Sequence, residues 1–155
     1  MKPTAAALSI LALTFFVAPV PSRGQQPGKI YRIGFLSTAP QESISQLIEA
    51  LVTGLRDQGY VDGRNVAIVY RSAEGKIDRL PKLAAELVQL GMDTIVATST
   101  PAASAAKEAT TRVPIVMVSP ADPVREGLIT SLARPGGNLT GVTLEVTAET
   151  SGKQL

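Results

Sequence analysis

The chain has 155 residues, a length suited to one domain, with no cysteine, histidine or tryptophan and a formal net charge of +2. Those absences exclude Ser-His-Asp and Cys-His pairs, thiolate or imidazole metal sites and any disulfide framework. Asp and Glu are scattered without EF-hand spacing, so neither a metal nor a cofactor is expected.

The amino end reads MKPTAAALSILALTFFVAPVPSRGQQPGK. Lys2 precedes an apolar run from Ala5 to Val17, and Ser22 and Gly24 are suitably placed for cleavage before Gln25. The run is shorter than the roughly 20 residues needed to span a bilayer. Residues 1–24 are therefore expected to be a cleaved secretory signal peptide, and the chain to be exported. With no Cys to acylate, it is not expected to be a lipoprotein. Cleavage would remove Lys2 and Arg23, leaving 13 basic and 13 acidic residues, so the sequence pI of 9.1 overstates the basicity. No nucleic-acid partner is expected, because nothing gathers the bases into a patch.

Apolar runs and helical patterns then alternate. A first strand spans Ile30 to Ser37 (IYRIGFLS), and a first helix carries the stripe Ile44, Leu47, Ile48, Leu51 and Leu55, stopping near Gln58-Gly59. A second strand covers Val66 to Tyr70. A second helix repeats the stripe at Leu80, Leu83, Ala84, Leu87 and Val88, with Asp78 as its N-cap and Gly91 past its end. Thr94 to Ala97 form a third strand and Pro101 to Thr110 a third helix, faced with Ala102, Ala105, Ala106 and Ala109. Val113 to Val118 form a fourth strand. A fourth helix is expected over Val124 to Ala133, ahead of the turn cluster Arg134 to Asn138, and Thr140 to Val146 form a fifth strand. The middle strands are continuous apolar runs, as in strands buried on both faces, whereas the first and last alternate more. The pattern predicts an α/β fold with a doubly wound, parallel five-stranded sheet.

In such sheets ligands bind outside the carboxyl ends of the strands, near the reversal of strand order. Ser99-Thr100-Pro101 follows the third strand there. Proline suits a first helical turn, Thr100 can be the N-cap, and the helix dipole favours an anion. A capping Thr before Pro also serves helices that bind nothing. Asp122, in SPADPVREG after the fourth strand, can accept a ligand ammonium or hydroxyl, or cap the fourth helix. Ser37 and Thr38 after the first strand are the third contributor, with capping again as the alternative. No nucleophile stands beside a base. Neither G-x-x-x-x-G-K-[ST] nor a G-x-G-x-x-G after the first strand is present.

YRIGFLS, GLRDQGYVDGRNVAIVYRSAEGKIDRLPKLAAELVQLGMDTIVATSTPAASAAKEAT, VPIVMV and DPVREGLITSLARPGGNLTGVT together closely resemble ABC-transporter substrate-binding proteins whose relatives include the tryptophan/tyrosine-type binding proteins. The resemblance runs from about Lys29 to Leu155. It rests on the GY-x-(D/E)-G-x-N turn, RLP-x-LAAELV and SLARPGGN-x-TG. It implies a Rossmann-like lobe of a type I periplasmic-binding-protein fold that captures a small organic, amino-acid-like solute in the periplasm. The partner would be an ABC permease in the inner membrane. The resemblance implies no enzyme activity, and ligand-facing positions at Ser37, Thr38, Ser99, Thr100 and Asp122.

Family members are longer. Residues 25–147 are thus expected to be an N-terminal lobe, and 148–155 the truncated start of a connection to a missing second lobe. A single lobe has half the contacts and no closure, so its binding should be weak. The alternatives are an exported α/β enzyme using Asp122 as acid/base, and an interaction module or non-functional remnant.

Overall fold

The computed structural model describes residues 28–119, 123–131 and 133–143. Five strands, β1 (Tyr31–Ser37), β2 (Val66–Ser72), β3 (Thr94–Ala97), β4 (Ile115–Ser119) and β5 (Leu139–Thr143), form one sheet in the order β2-β1-β3-β4-β5. Every pair is parallel. Parallel neighbours need crossovers, and three of these carry helices: α1 (Ser45–Asp57), α2 (Leu80–Gln89) and α3 (Thr100–Ala109). The expected doubly wound α/β sheet is what forms.

Side chains alternate between its two faces. Ile33, Phe35, Val66 and Val96 turn towards α1. Leu36, Ile95, Ala97, Ile115, Met117 and Leu139 turn towards α2 and α3. The second layer is closed. Leu80, Leu83, Ala84 and Leu87 of α2 and Ala102, Ala103, Ala105 and Ala106 of α3 are all buried in it. The alanines let α3 lie close to the sheet, since a methyl holds the two backbones less far apart than a longer side chain. Gly34 does the same for α2, because a Cβ there would stand 3.1 Å from Leu87 and Met92 side-chain carbons.

The first layer is thinner. The α1 stripe packs against the sheet, yet no α1 residue is fully buried. Among the described residues no helix covers the β4–β5 half of this face, and Val142 is 60% exposed.

Several expectations shift. β1 is central rather than alternating: Ile33 to Ser37 are buried in succession because strands flank it on both sides. β2 is an edge strand and only half-buried after Val66, although its apolar run read as interior. The ladder continues through Arg71 and Ser72, since Ser37 pairs with Ser72 through backbone alone. β4 starts after Pro114, which has no N–H to give a ladder. Asp78 lies inside a 3-10 turn, Ile77–Arg79, and α2 begins without a side-chain cap.

The largest departure is the fourth helix. In its place the Gly127 N–H donates to the Val124 carbonyl at 3.0 Å, and the Leu128 and Ile129 N–H groups donate to that of Pro123. Gly127 at φ +69° leaves the right-handed region and ends this turn, which sends Leu128 and Ile129 into the core beside α3. Lys107 Nζ donates to the carbonyls of Gly127 (3.0 Å) and Leu128 (2.9 Å), fastening the turn to the last turn of α3.

Residues 1–24, expected to be a signal peptide, Asp122 and residues 148–155 lie outside the described residues. No described helix is long and apolar enough to cross a membrane.

Candidate functional site

β1 pairs with β2 on one side and β3 on the other, so the chain leaves β1 and β3 in opposite directions: α1 lies on one face and α3 on the other. Their carboxyl ends border the crevice that this reversal opens. Thr38 and Ser99, each just past its strand, meet there. Thr38 Oγ1 and Ser99 Oγ stand 2.6 Å apart, across 61 positions of sequence.

Ser99 is extended (φ −160°, ψ 160°), and its Oγ accepts from the Ala102 N–H at 3.3 Å. It is therefore the N-cap of α3, one residue before the Thr100 that sequence reasoning chose. Thr100 is instead the first helical residue, followed by Pro101. A proline takes the helical φ without strain, and the residue before the helix is favoured with a side-chain acceptor. The Ala103 N–H goes to the Ser99 carbonyl at 2.9 Å. The Ala102 and Ala103 amides are thus occupied and Pro101 has none, so the hydroxyl pair must do much of the hydrogen bonding at this helix end.

The pair is well made for that. Two hydroxyls hold two protons, and the bond between them uses one. Whichever atom donates, one O–H is left over from the bond between them, and the pair sits at the positive end of a ten-residue helix. The chemistry suits an anionic or carbonyl oxygen.

Ser37 has a different position. It is 1% exposed, and its Oγ donates to the Ala39 carbonyl (3.0 Å) and accepts from the Ala39 N–H (3.1 Å). It shapes the loop that carries Thr38. Of the five residues picked from sequence, the structure brings Thr38 and Ser99 together beside Thr100, at the carboxyl ends of β1 and β3, buries Ser37, and leaves Asp122 outside the described residues.

Sequence reasoning missed how the turn after β2 joins this site. Ser72 Oγ donates to the Ala39 carbonyl at 2.9 Å, the Ala73 N–H donates to the Ser37 carbonyl at 2.9 Å and the Gly75 N–H to the Thr38 carbonyl at 2.8 Å. Two loops are thereby locked into one rim. The Glu-Gly pair between a strand and a helix was the available signal of a tight turn.

At the opposite end of the sheet a cleft of about 410 Å³ lies among Tyr31, Ile33, Leu55, Tyr60 and Val66. It opens on the thinner α1 face and is far from the hydroxyl pair. Lys29 and Asp93 close its rim at 2.9 Å. Asp93 also accepts from the Arg32 N–H at 2.8 Å. That pairing raises the Lys29 pKa and lowers that of Asp93, each chiefly through the hydrogen bond between them. Among the described residues no group of three acids could hold a metal ion.

Residues 33–151 match the family model described as ABC transporter substrate binding protein. A tyrosine-binding protein of Clostridioides difficile is 36% identical over 111 residues, which are 72% of this chain and 32% of that protein. An ABC domain from Streptococcus pneumoniae, solved in complex with L-Trp, aligns with a TM-score of 0.69 at 32% identity. The ligand-free, open structure of a substrate binding protein with adhesive properties from Clostridium difficile aligns with a TM-score of 0.68 at 30% identity. Each alignment covers 74% of this chain and 39% of the other. The chain thus spans well under half the length of these relatives. With the family match running from within β1 to beyond β5, it belongs to the ABC transporter substrate-binding proteins.

Proposed function

We propose that this lobe contributes half of a binding site for a small amino-acid-like solute, captured outside the cytoplasm and passed to an ABC permease. The observation that carries the reading is the Thr38–Ser99 hydroxyl pair, seated at the strand-order reversal and at the head of α3. Its remaining O–H and the helix dipole suit a solute carboxylate. The relatives supply the class: one is a tyrosine-binding protein, and another was solved with L-Trp. Thr100 borders the same crevice, Ser37 supports it from below, and the Asp122 carboxylate is proposed as an acceptor for a solute ammonium or hydroxyl.

The apolar run from Ala5 to Val17 is proposed as the heart of a secretory signal, with residues 25–147 as the lobe and 148–155 as the start of a connection to a second one. The family's described role is substrate binding, which calls for no catalytic group.

The test is a titration of the full chain with L-tyrosine and L-tryptophan, followed by ligand-observed NMR, which detects weak complexes. Saturable binding is expected. Thr38→Val removes the hydroxyl bonded to Ser99 Oγ but leaves the Ser99 cap on the Ala102 N–H, so it should weaken binding while costing no more stability than one hydrogen bond, about 0.5–1.5 kcal/mol. A folded chain that binds neither amino acid, or a Thr38→Val chain that binds as well as the parent, refutes the reading.

A further inference from the structure

The turn joining β2 to α2 has a residue that its local structure does not explain. Ala73, Glu74, Gly75 and Lys76 form a β-turn closed by the Lys76 N–H on the Ala73 carbonyl at 2.9 Å. Both central residues have positive φ, +53° at Glu74 and +76° at Gly75, which is the type I′ form. Its first central position favours Asn, Asp and Gly. Gly has no Cβ to clash, and the short polar side chains can hydrogen-bond locally. Glutamate has neither advantage. It is the one non-glycine residue with positive φ among the described residues. No described residue bonds its carboxylate, and it is exposed.

The turn is not a free loop. The Glu74 N–H donates to Ser72 Oγ at 3.0 Å, and the same Oγ donates to the Ala39 carbonyl at 2.9 Å. On its other side Gly75 is bonded to Thr38. β2 neighbours β1 with Ser37 opposite Ser72, so Glu74 stands about one strand spacing, roughly 5 Å, from the chain that carries the hydroxyl pair. The residue that bears this carboxylate is thus held at a conformational cost in the turn bonded to the Thr38 loop, on the flank away from α3.

We propose that Glu74 is a specificity-determining residue that selects solutes bearing a cationic group. This deepens the reading above and rests on it. The polarity of the rim is complementary to a zwitterion: the head of α3 and the hydroxyl pair face its carboxylate, and Glu74 faces its ammonium. Solutes with a carboxylate alone would gain the first contact and be repelled by the second.

The experiment measures the affinities of the full chain for L-tryptophan and for indole-3-propionate, which lacks the ammonium, by ligand-observed NMR. The parent chain is expected to prefer L-tryptophan. Glu74→Gln keeps the size and the backbone but removes the charge, and should reduce that preference by about fivefold, the upper range for an exposed ion pair. Glu74→Asp keeps the charge and suits the turn, so it should retain the preference. Glu74→Asn should raise the unfolding midpoint while losing the preference, separating the charge from the fold. A parent chain without preference, or a Glu74→Gln chain with the parent's preference, overturns the inference alone. A parent chain that binds neither probe overturns the reading on which it rests.

Discussion

Gly141 lies in the middle of β5, opposite Met117 of β4. A Cβ at this glycine would run into the Met117 carbonyl oxygen, with the Met117 N at 2.7 Å and C at 2.8 Å, all of them backbone atoms. Met117 cannot retreat, because it is paired with Ala97 of β3 on its other side. β5, with no described strand beyond it, must move instead. Displacing it takes Leu139, 2% exposed, out of the core, at about 1.5–3 kcal/mol. Two ladder bonds lost near residue 141 add about 1–3 kcal/mol at the usual net value of each. Gly141→Ala should therefore cost about 2.5–6 kcal/mol, a large share of the roughly 5–15 kcal/mol that holds a domain folded. Urea unfolding followed by circular dichroism reads this directly. At slopes of about 1–3 kcal/mol/M the midpoint should fall by at least about 0.8 M. Gly137→Ala is the control, for its Cβ would meet nothing within 4 Å and only φ +69° opposes it. It should cost about 1–2 kcal/mol. A Gly141→Ala midpoint equal to that of the parent chain would refute the steric argument.

Gly54 is an exposed residue inside α1 with open space around its missing side chain, so Gly54→Ala should stabilise the chain by about 0.5–1 kcal/mol in the same assay. Asn65 closes the turn before β2 by accepting from the Val61 N–H at 2.7 Å and donating to the Gly59 carbonyl at 2.9 Å. Asn65→Ala should cost about 1–3 kcal/mol, and an unchanged midpoint would show those bonds to be replaced by water. The Lys29–Asp93 pair sets a pH dependence at both extremes. Asp93 is depressed from 3.8, so its contribution is present above that value and disappears as pH falls through the lower folded value. Lys29 is raised from 10.5, so its contribution is present below that value and disappears as pH rises through the higher folded value. Melting curves of the parent and Asp93→Asn should differ slightly at about pH 5–7, less in high salt, and converge as pH falls below about 3.8. A gap that widens in acid would contradict the assignment.

What could be read in advance follows from which forces leave a periodic trace. The α2 stripe was legible because Leu80, Leu83, Ala84 and Leu87 all face one buried layer. β3 was placed to the residue, since Thr94 to Ala97 is an apolar run between an Asp and a hydroxyl loop. The β2 ladder through Arg71 and Ser72 left no trace, because backbone pairing does not depend on side-chain polarity. The segment Val124 to Ile129 has helical spacing, but Gly127 in the left-handed region breaks it, and composition alone does not reveal a φ. At the site, strand-end logic led to Thr38 and Ser99 separately. Their 2.6 Å meeting depends on β1 and β3 being neighbours, which is a property of strand order and not of either loop. The cap fell on Ser99 and not Thr100 because the proline occupies the second helical position and moves the boundary back by one residue. Glu74 was invisible as a candidate, since its distinction lies in a backbone angle and in the loop it is bonded to.

Strand order also governs how this lobe can be assembled from its amino end. β2 comes to rest beside β1, β3 on the other edge of β1, β4 outside β3, and β5 outside β4. No strand has to be inserted between two that are already paired. A chain emerging residue by residue can therefore lay each new strand against an edge that is open when it arrives, and the sheet grows outward as the chain lengthens. The hydroxyl pair is complete early: once α3 has formed behind β3, Thr38 and Ser99 already stand together, while β4 and β5 are still to come.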